Sequence, residues 1–230
     1  VASILQQAGS RRLERPPPTE GLAGERIYWF EEHPMQRPAW DPEYARLQIA
    51  GTPEPLLSWP ENFNMIAIGS ASTPPGGIRA PLVYAGSGSP AELDAAGVEG
   101  KVVLADASPG RLYQRAVVER EAAGVLAYRL ADYNRPDENL DAILFASIRP
   151  GTGEGWALCI SPRARRRLLD ALEGEGRSAG SDGGEVSVEV EVRTRSYPSV
   201  ERTLLAEIRG KALPGERMVF LAGRGNNGGD

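Results

Sequence analysis

The chain has 230 residues, enough for one sizeable domain or two small ones, and its 41% hydrophobic and 25% charged content is ordinary for a soluble globular protein. A net charge of −5 leaves no basic excess to neutralise phosphates, which argues against nucleic acid as a partner. No apolar run approaches the roughly 18 to 20 residues of a membrane span. The single cysteine, Cys159, excludes an intrachain disulfide and leaves the compartment open between secreted and cytoplasmic.

The chain starts at Val1, without an initiator Met and already in an amphipathic pattern, as expected of a processed product. Residues 1–8 (VASILQQA) read as a short helix ended by Gly9, with Val1, Ile4, Leu5 and Ala8 on one face. Pro16, Pro17 and Pro18 stop regular structure. Residues 26–30 (RIYWF) read as a strand, followed by an irregular stretch rich in proline and aromatics. The alternation in 44–49 (YARLQI) predicts a strand with one solvated face. After a proline-rich connection, 65–68 read as a brief strand, 80–84 (APLVY) as another, and 90–96 as a short helix with Ser89 at the N-cap and Pro90 at the first helical position.

Residues 97–130 carry the clearest unit. KVVLA (101–105) is too short and valine-rich for a helix and reads as a buried strand. Pro109-Gly110 breaks the chain. Residues 111–123 then follow helical spacing, with Gly124 placed for a left-handed C-cap. VLAY (125–128) is a second apolar run, so the unit predicts parallel β-α-β. The turn between strand and helix holds only Ser108-Pro109-Gly110, which lacks the glycine fingerprint of a dinucleotide site. Residues 132–139 read as a polar loop, 141–148 as a strand or edge segment, 157–160 (ALCI) as a third buried strand, and 163–172 as a helix begun by Ser161-Pro162. The glycine- and serine-rich stretch 174–184 reads as a flexible loop. EVSVEVEVRTR (185–195) alternates strictly and is the clearest strand. Residues 203–209 and 217–222 close the chain as two more strands, with a turn over 210–215.

Gly100-Lys101-Val102-Val103-Leu104, then Ala122-Ala123-Gly124, then Val125-Leu126 resemble the core of the protease-associated (PA) domain. The helix with Leu168, Leu169 and Leu172, followed by the alternating valine strand, resembles the way that domain closes. Leu205-Ala206-Glu207-Ile208-Arg209-Gly210, a loop with Pro214, and Met218-Val219-Phe220-Leu221-Ala222 resemble the strands that lead to the first metal ligand in zinc aminopeptidases of the M28 family. The N-terminal helix and strand are similar to the piece of that peptidase which precedes an inserted PA domain. The fold expected is therefore mixed α/β: residues 1–50 resembling the start of a peptidase domain, 51–200 a PA-like domain, and 201–230 strands re-entering an incomplete peptidase domain. The resemblance implies a zinc exopeptidase as parent, a peptide or protein substrate as partner, and a PA part that shapes substrate access or protein contacts. A stand-alone peptide-binding PA module is the alternative.

That peptidase family holds two zinc ions with histidines and carboxylates, which lower the pKa of a bound water. This chain has one histidine, His33, in a proline-rich stretch, and it reads as a surface residue; Gly223 stands where the family's first histidine ligand is expected. No catalytic, cofactor-binding or metal-ligating residue is therefore assigned, and zinc is expected only in the complete parent. GRGNNGGD (223–230) reads as a glycine-rich end, an incomplete peptidase loop, or a phosphate-binding loop like that of NAD(P)HX epimerases. Cys159 in an apolar strand reads as an inert thiol, and no serine lies in a G-x-S-x-G elbow. Asp132, Asp137, Glu138 and Asp141 read as a solvated acidic loop ahead of a calcium site, and Arg165, Arg166 and Arg167 as a solvated helix face ahead of an anion site.

Overall fold

Short aliphatic strands buried on both faces organise the larger part of the chain. In the computed structural model, which describes residues 2–15, 24–149, 155–174, 185–212 and 217–222, the elements run α1 (Ala2–Gln7), β1 (Arg11–Arg12), β2 (Arg26–Pro34), β3 (Ala39–Ile49), β4 (Leu57–Trp59), β5 (Ile78–Tyr84), α2 (Pro90–Ala96), β6 (Val102–Ala105), α3 (Pro109–Tyr113), β7 (Gly124–Ala127), β8 (Ala157–Cys159), α4 (Pro162–Glu173), β9 (Ser187–Tyr197), β10 (Val200–Arg209) and β11 (Arg217–Ala222). The fold is mixed α/β. It divides into two compact units, one of residues 40–195 and one of residues 1–39 with 196–230.

The larger unit is built on a sheet of order β4-β3-β9-β5-β6-β7-β8. β5, β6, β7 and β8 run parallel, and β9 joins β5 antiparallel. Alternation along β6 sends Val102 and Leu104 to one face, where they meet Leu126, Leu158 and the α4 residues Ala164 and Leu168. Val103 and Ala105 point the other way, into Leu93 of α2 and Leu112 and Ala116 from α3 and the turn after it. Helices on both faces explain why β6 and β7 read as unbroken apolar runs. Burying each such Val or Leu contributes about 1.5–3 kcal/mol.

The structure shortens the central helix. α3 ends at Tyr113, a π turn covers Gln114–Val118, and Glu121 takes a left-handed φ of 56°. Leu112 and Ala116 are buried at helical spacing, but the chain leaves the helix before 119–123, and Gly124 is the first residue of β7 rather than a C-cap. A Cβ on Gly124 would run into the Trp156 indole, so glycine is required there by close packing. The expected strand at 65–68 is a 3₁₀ turn over Phe63–Met65 followed by isolated bridges from Ile66 to Leu158 and from Ile68 to Ser147. Residues 141–148 are likewise irregular, carrying only that bridge at Ser147. α2 forms as read. Ser89 accepts from the Glu92 N–H and the Glu92 carboxylate reaches back to the Ser89 N–H, while Gly97 closes the helix at φ 57°.

The smaller unit is a sheet of order β1-β2-β10-β11. β10 pairs antiparallel with β2 from Val200↔Pro34 to Ile208↔Arg26, and with β11 on its other side. Tyr28, Leu204 and Ala206 pack with Leu5 of α1 on one face. The other face buries Ile27 and Trp29 together with a charged pair, Glu207 and Arg209. Arg209 Nε donates to Glu207 Oε1 at 2.6 Å, and the two side chains are 2% and 1% exposed.

Candidate functional site

In open α/β sheets, ligands gather where parallel strands end at their carboxyl edge. Here that edge carries a connected polar group. Tyr84 is the last residue of β5, Asp106 follows β6, Tyr128 follows β7, and Ser161 after β8 caps α4 by accepting from the Ala164 N–H. One turn into α4, Arg165 turns back over the edge. Its Nε donates to Asp106 Oδ1 and its Nη2 to Oδ2, both at 2.6 Å. The Tyr84 hydroxyl donates to Asp106 Oδ2 at 2.8 Å and accepts from Arg165 Nη2 at 3.4 Å. The guanidinium also lies 5.1 Å from the Tyr128 ring centroid.

These contacts set the protonation states. Burial first, then Asp106, raises the Tyr84 phenol above its usual value, and burial raises Tyr128. Both phenols therefore stay protonated at neutral pH. The hydrogen bonds to Asp106 raise Arg165 further above an already high value. Asp106 is thus committed to three donor groups on two residues, an arrangement suited to holding the ends of β5 and β6 and the start of α4 together. The neighbouring loop is locked in the same way. Glu92 accepts from the Ser87 and Ser89 hydroxyls, each at 2.6 Å, and from both backbone N–H groups, which holds its carboxyl down at about 2.

Beside this network lies an open groove of about 700 Å³. Leu130, Leu140, Ala142, Ile143, Leu144 and Phe145 line it together with the polar residues Asn134, Glu138, Asn139, Asp141 and Arg163. The Arg163 guanidinium holds both oxygens of Asp141, at 2.7 and 3.0 Å, and keeps that carboxyl below the usual range. The Leu140 carbonyl accepts from the Arg163 N–H at 2.9 Å, so the segment is fastened to α4 by backbone as well.

The acidic loop is therefore partly paired: Asp141 with Arg163 and Glu138 with Arg135. Among the described residues, no three His, Cys, Asp or Glu side chains gather as metal ligands. Of the three consecutive arginines, Arg166 and Arg167 are exposed, whereas Arg165 belongs to the strand-edge network. His33 lies in strand β2, not in a loop. Its side chain is 64% exposed, with Nε2 3.7 Å from Glu31 Oε2. Glu207, inside the L-A-E-I-R-G stretch, is buried and neutralised by Arg209. Burial pushes the Cys159 thiol up to about 12, so it is inert at neutral pH. Residues 223–230, and with them the phosphate-loop reading, lie outside the described residues, as do 16–23 and 175–184. Sequence reasoning missed the groove and the Arg165 network. The available signals were an apolar stretch, 142–146, with no partner strand, and three consecutive arginines on one helix, which cannot all share a solvated face.

No protein-family model matches the chain, and no curated protein matches it. Solved structures do. An aminopeptidase from Aneurinibacillus sp. strain AM-1 superposes with a TM-score of 0.54 at 20% identity, covering 79% of this chain and 39% of that one. The zinc aminopeptidase BSAP from Bacillus subtilis gives 0.52 at 14% identity, covering 79% and 37%. At these identities the likeness is one of fold. The chain spans well under half the length of either structure. No helix among the described residues is long and apolar enough to cross a membrane.

Proposed function

We propose that this chain is the non-catalytic, PA-containing portion of an M28-type zinc aminopeptidase, and that its larger unit governs which peptides or proteins are held near the catalytic domain. The observation that carries this reading is the likeness to two aminopeptidases over 79% of the chain, while the chain spans only 39% and 37% of theirs. The smaller unit, with α1, β2, β10 and β11, corresponds in this reading to strands of the peptidase domain on either side of the inserted PA domain. The residues around Tyr84, Asp106 and Arg165 serve as a rigid frame, because each polar group is already committed to another. Zinc chemistry belongs to residues outside this chain, since its one histidine, His33, stands on an exposed strand end.

The groove beside α4 favours a second reading, in which the larger unit binds peptides without any catalytic partner. Incubating the chain with a peptide mixture and following both bound and cleaved species by mass spectrometry tests the non-catalytic role. Retention of peptides without cleavage supports it. Cleavage from the amino terminus that stops on chelation contradicts it.

A further inference from the structure

Among the described residues the two sheets have four edges, and three of them are closed. At β4 the Asn62 side chain accepts from the Ser58 N–H at 3.0 Å, and the Asn62 N–H donates to the Ser58 carbonyl at 2.7 Å. Beyond β8 the Ala67 N–H donates to the Ala157 carbonyl at 3.0 Å, and the Ser70 hydroxyl accepts from the Ala157 N–H at 3.1 Å. β1 is only two residues long, and both are exposed arginines. Short, capped or charged edges of this kind keep other chains from adding a strand.

The fourth edge, β11, has none of these devices. Its sequence, RMVFLA, holds no proline and one charge, Arg217, and no strand among the described residues pairs with its outer side. The register fixes which backbone groups face outward. The Arg209 N–H donates to the Glu25 carbonyl, so Leu205, Glu207 and Arg209 bond toward β2, while Leu204, Ala206 and Ile208 bond toward β11. Their partners Ala222, Phe220 and Met218 are thereby satisfied, which leaves the backbone groups of Arg217, Val219 and Leu221 on the open side. Apolar surface lies beside them: Met218 is 59% exposed and its cross-strand partner Ile208 44%. An unbroken apolar run such as 218–222 is the composition of a strand inside a sheet, as in β6 and β7 of the larger unit.

We propose that the open edge of β11 receives an extended, apolar strand of the catalytic domain, which bonds to the backbone of Val219 and Leu221 and lays side chains beside Met218. The source follows from the likeness of fold, which takes in 79% of this chain but only 39% and 37% of the two aminopeptidases. The assignment rests on the non-catalytic reading of this chain and adds the seam at which the two portions join.

The test is fluorescence anisotropy of a Lys-Val-Leu-Val-Leu-Val-Lys peptide, labelled at its carboxyl end and titrated with the full chain. The control peptide has the same side chains with every apolar residue N-methylated, which removes the backbone donors. Saturable binding of the first peptide is expected, weakened about tenfold or more in the control and in the protein variants Val219→Pro and Met218→Lys. Val219→Pro removes an outward N–H and leaves the bonds to β10 in place. Met218 is exposed, so Met218→Lys stays folded even if Val219→Pro does not. Hydrogen exchange at the Val219 and Leu221 amides should slow when the peptide is added. Absence of saturable binding, equal binding of the N-methylated peptide, full affinity in Met218→Lys, or protection confined to other amides overturns the edge assignment. So does a dimer of the chain that Val219→Pro dissolves and the peptide does not displace, which would give the edge to a second copy. Chelator-sensitive shortening of the peptide from its amino end overturns the non-catalytic reading instead, whatever binds at β11.

Discussion

Arg165 grips both carboxylate oxygens of Asp106 at 2.6 Å, joining the first turn of α4 to the end of β6 across 59 positions of sequence. The side chains are 28% and 33% exposed, so solvent weakens the pair but does not dissolve it. Replacing Arg165 with Ala is expected to cost about 1 kcal/mol. A double-mutant cycle with Asp106→Asn should return a coupling of similar size, read from urea midpoints. Arg165→Lys should recover little, because an ammonium does not reproduce the two-point grip. A coupling near zero would mean that the frame is held by packing alone.

Glu92 predicts a particular acid response. Its carboxyl is drawn down from 4.5 to about 2 by the Ser87 and Ser89 hydrogen bonds. Between those values the unfolded chain binds a proton that the folded chain does not. The contribution of Glu92 to stability is therefore complete above about pH 4.5 and is lost as pH falls toward about 2. The gap in urea midpoint between wild type and Glu92→Gln should be present at neutral pH and close across that window. A gap independent of pH would contradict the assignment. Ser89→Ala removes the same cap from the other side and should cost about 1 kcal/mol.

Close packing at Gly124 predicts a sharp asymmetry between glycines. A Cβ there meets the Trp156 indole, so Gly124→Ala is expected to cost about 1–3 kcal/mol. At Gly97 a Cβ meets nothing, and Gly97→Ala incurs only the left-handed backbone strain, about 1 kcal/mol. Equal costs would mean that the indole moves aside freely.

The buried pair in the smaller unit should be intolerant of half-removal. Arg209→Ala leaves the Glu207 charge enclosed and is expected to cost about 3–5 kcal/mol, whereas replacing both with Met and Leu should restore most of the loss. Thermal unfolding of the three proteins decides it, and a mild effect of Arg209→Ala alone would contradict the enclosure.

The sequence revealed most where burial is complete. β6, β7 and β8 are short aliphatic runs because both faces of the parallel sheet are covered, and β9 alternates because one face is not. β1 and β4 escaped notice. Arg11–Arg12 has no apolar signature, and Leu57–Trp59 sits among prolines that suggest a loop. The early end of α3 was invisible because Glu119, Arg120, Glu121, Ala122 and Ala123 are all good helix formers locally; the chain is pulled away by the need to deliver Gly124 to β7. The candidate site was the least legible part. Its contacts join residues far apart in sequence, such as Tyr84 with Arg165, and its groove is built from irregular backbone that has no periodicity to read.

The proposed division of labour, with binding in this chain and zinc chemistry elsewhere, is tested most directly by assaying the purified chain on aminoacyl p-nitroanilides with added zinc, with and without a chelator. The account predicts no release of nitroaniline above the zinc-only blank at any zinc concentration. Release that saturates with substrate, requires zinc and stops with chelator would contradict it, and would mean that the chain carries its own catalytic centre.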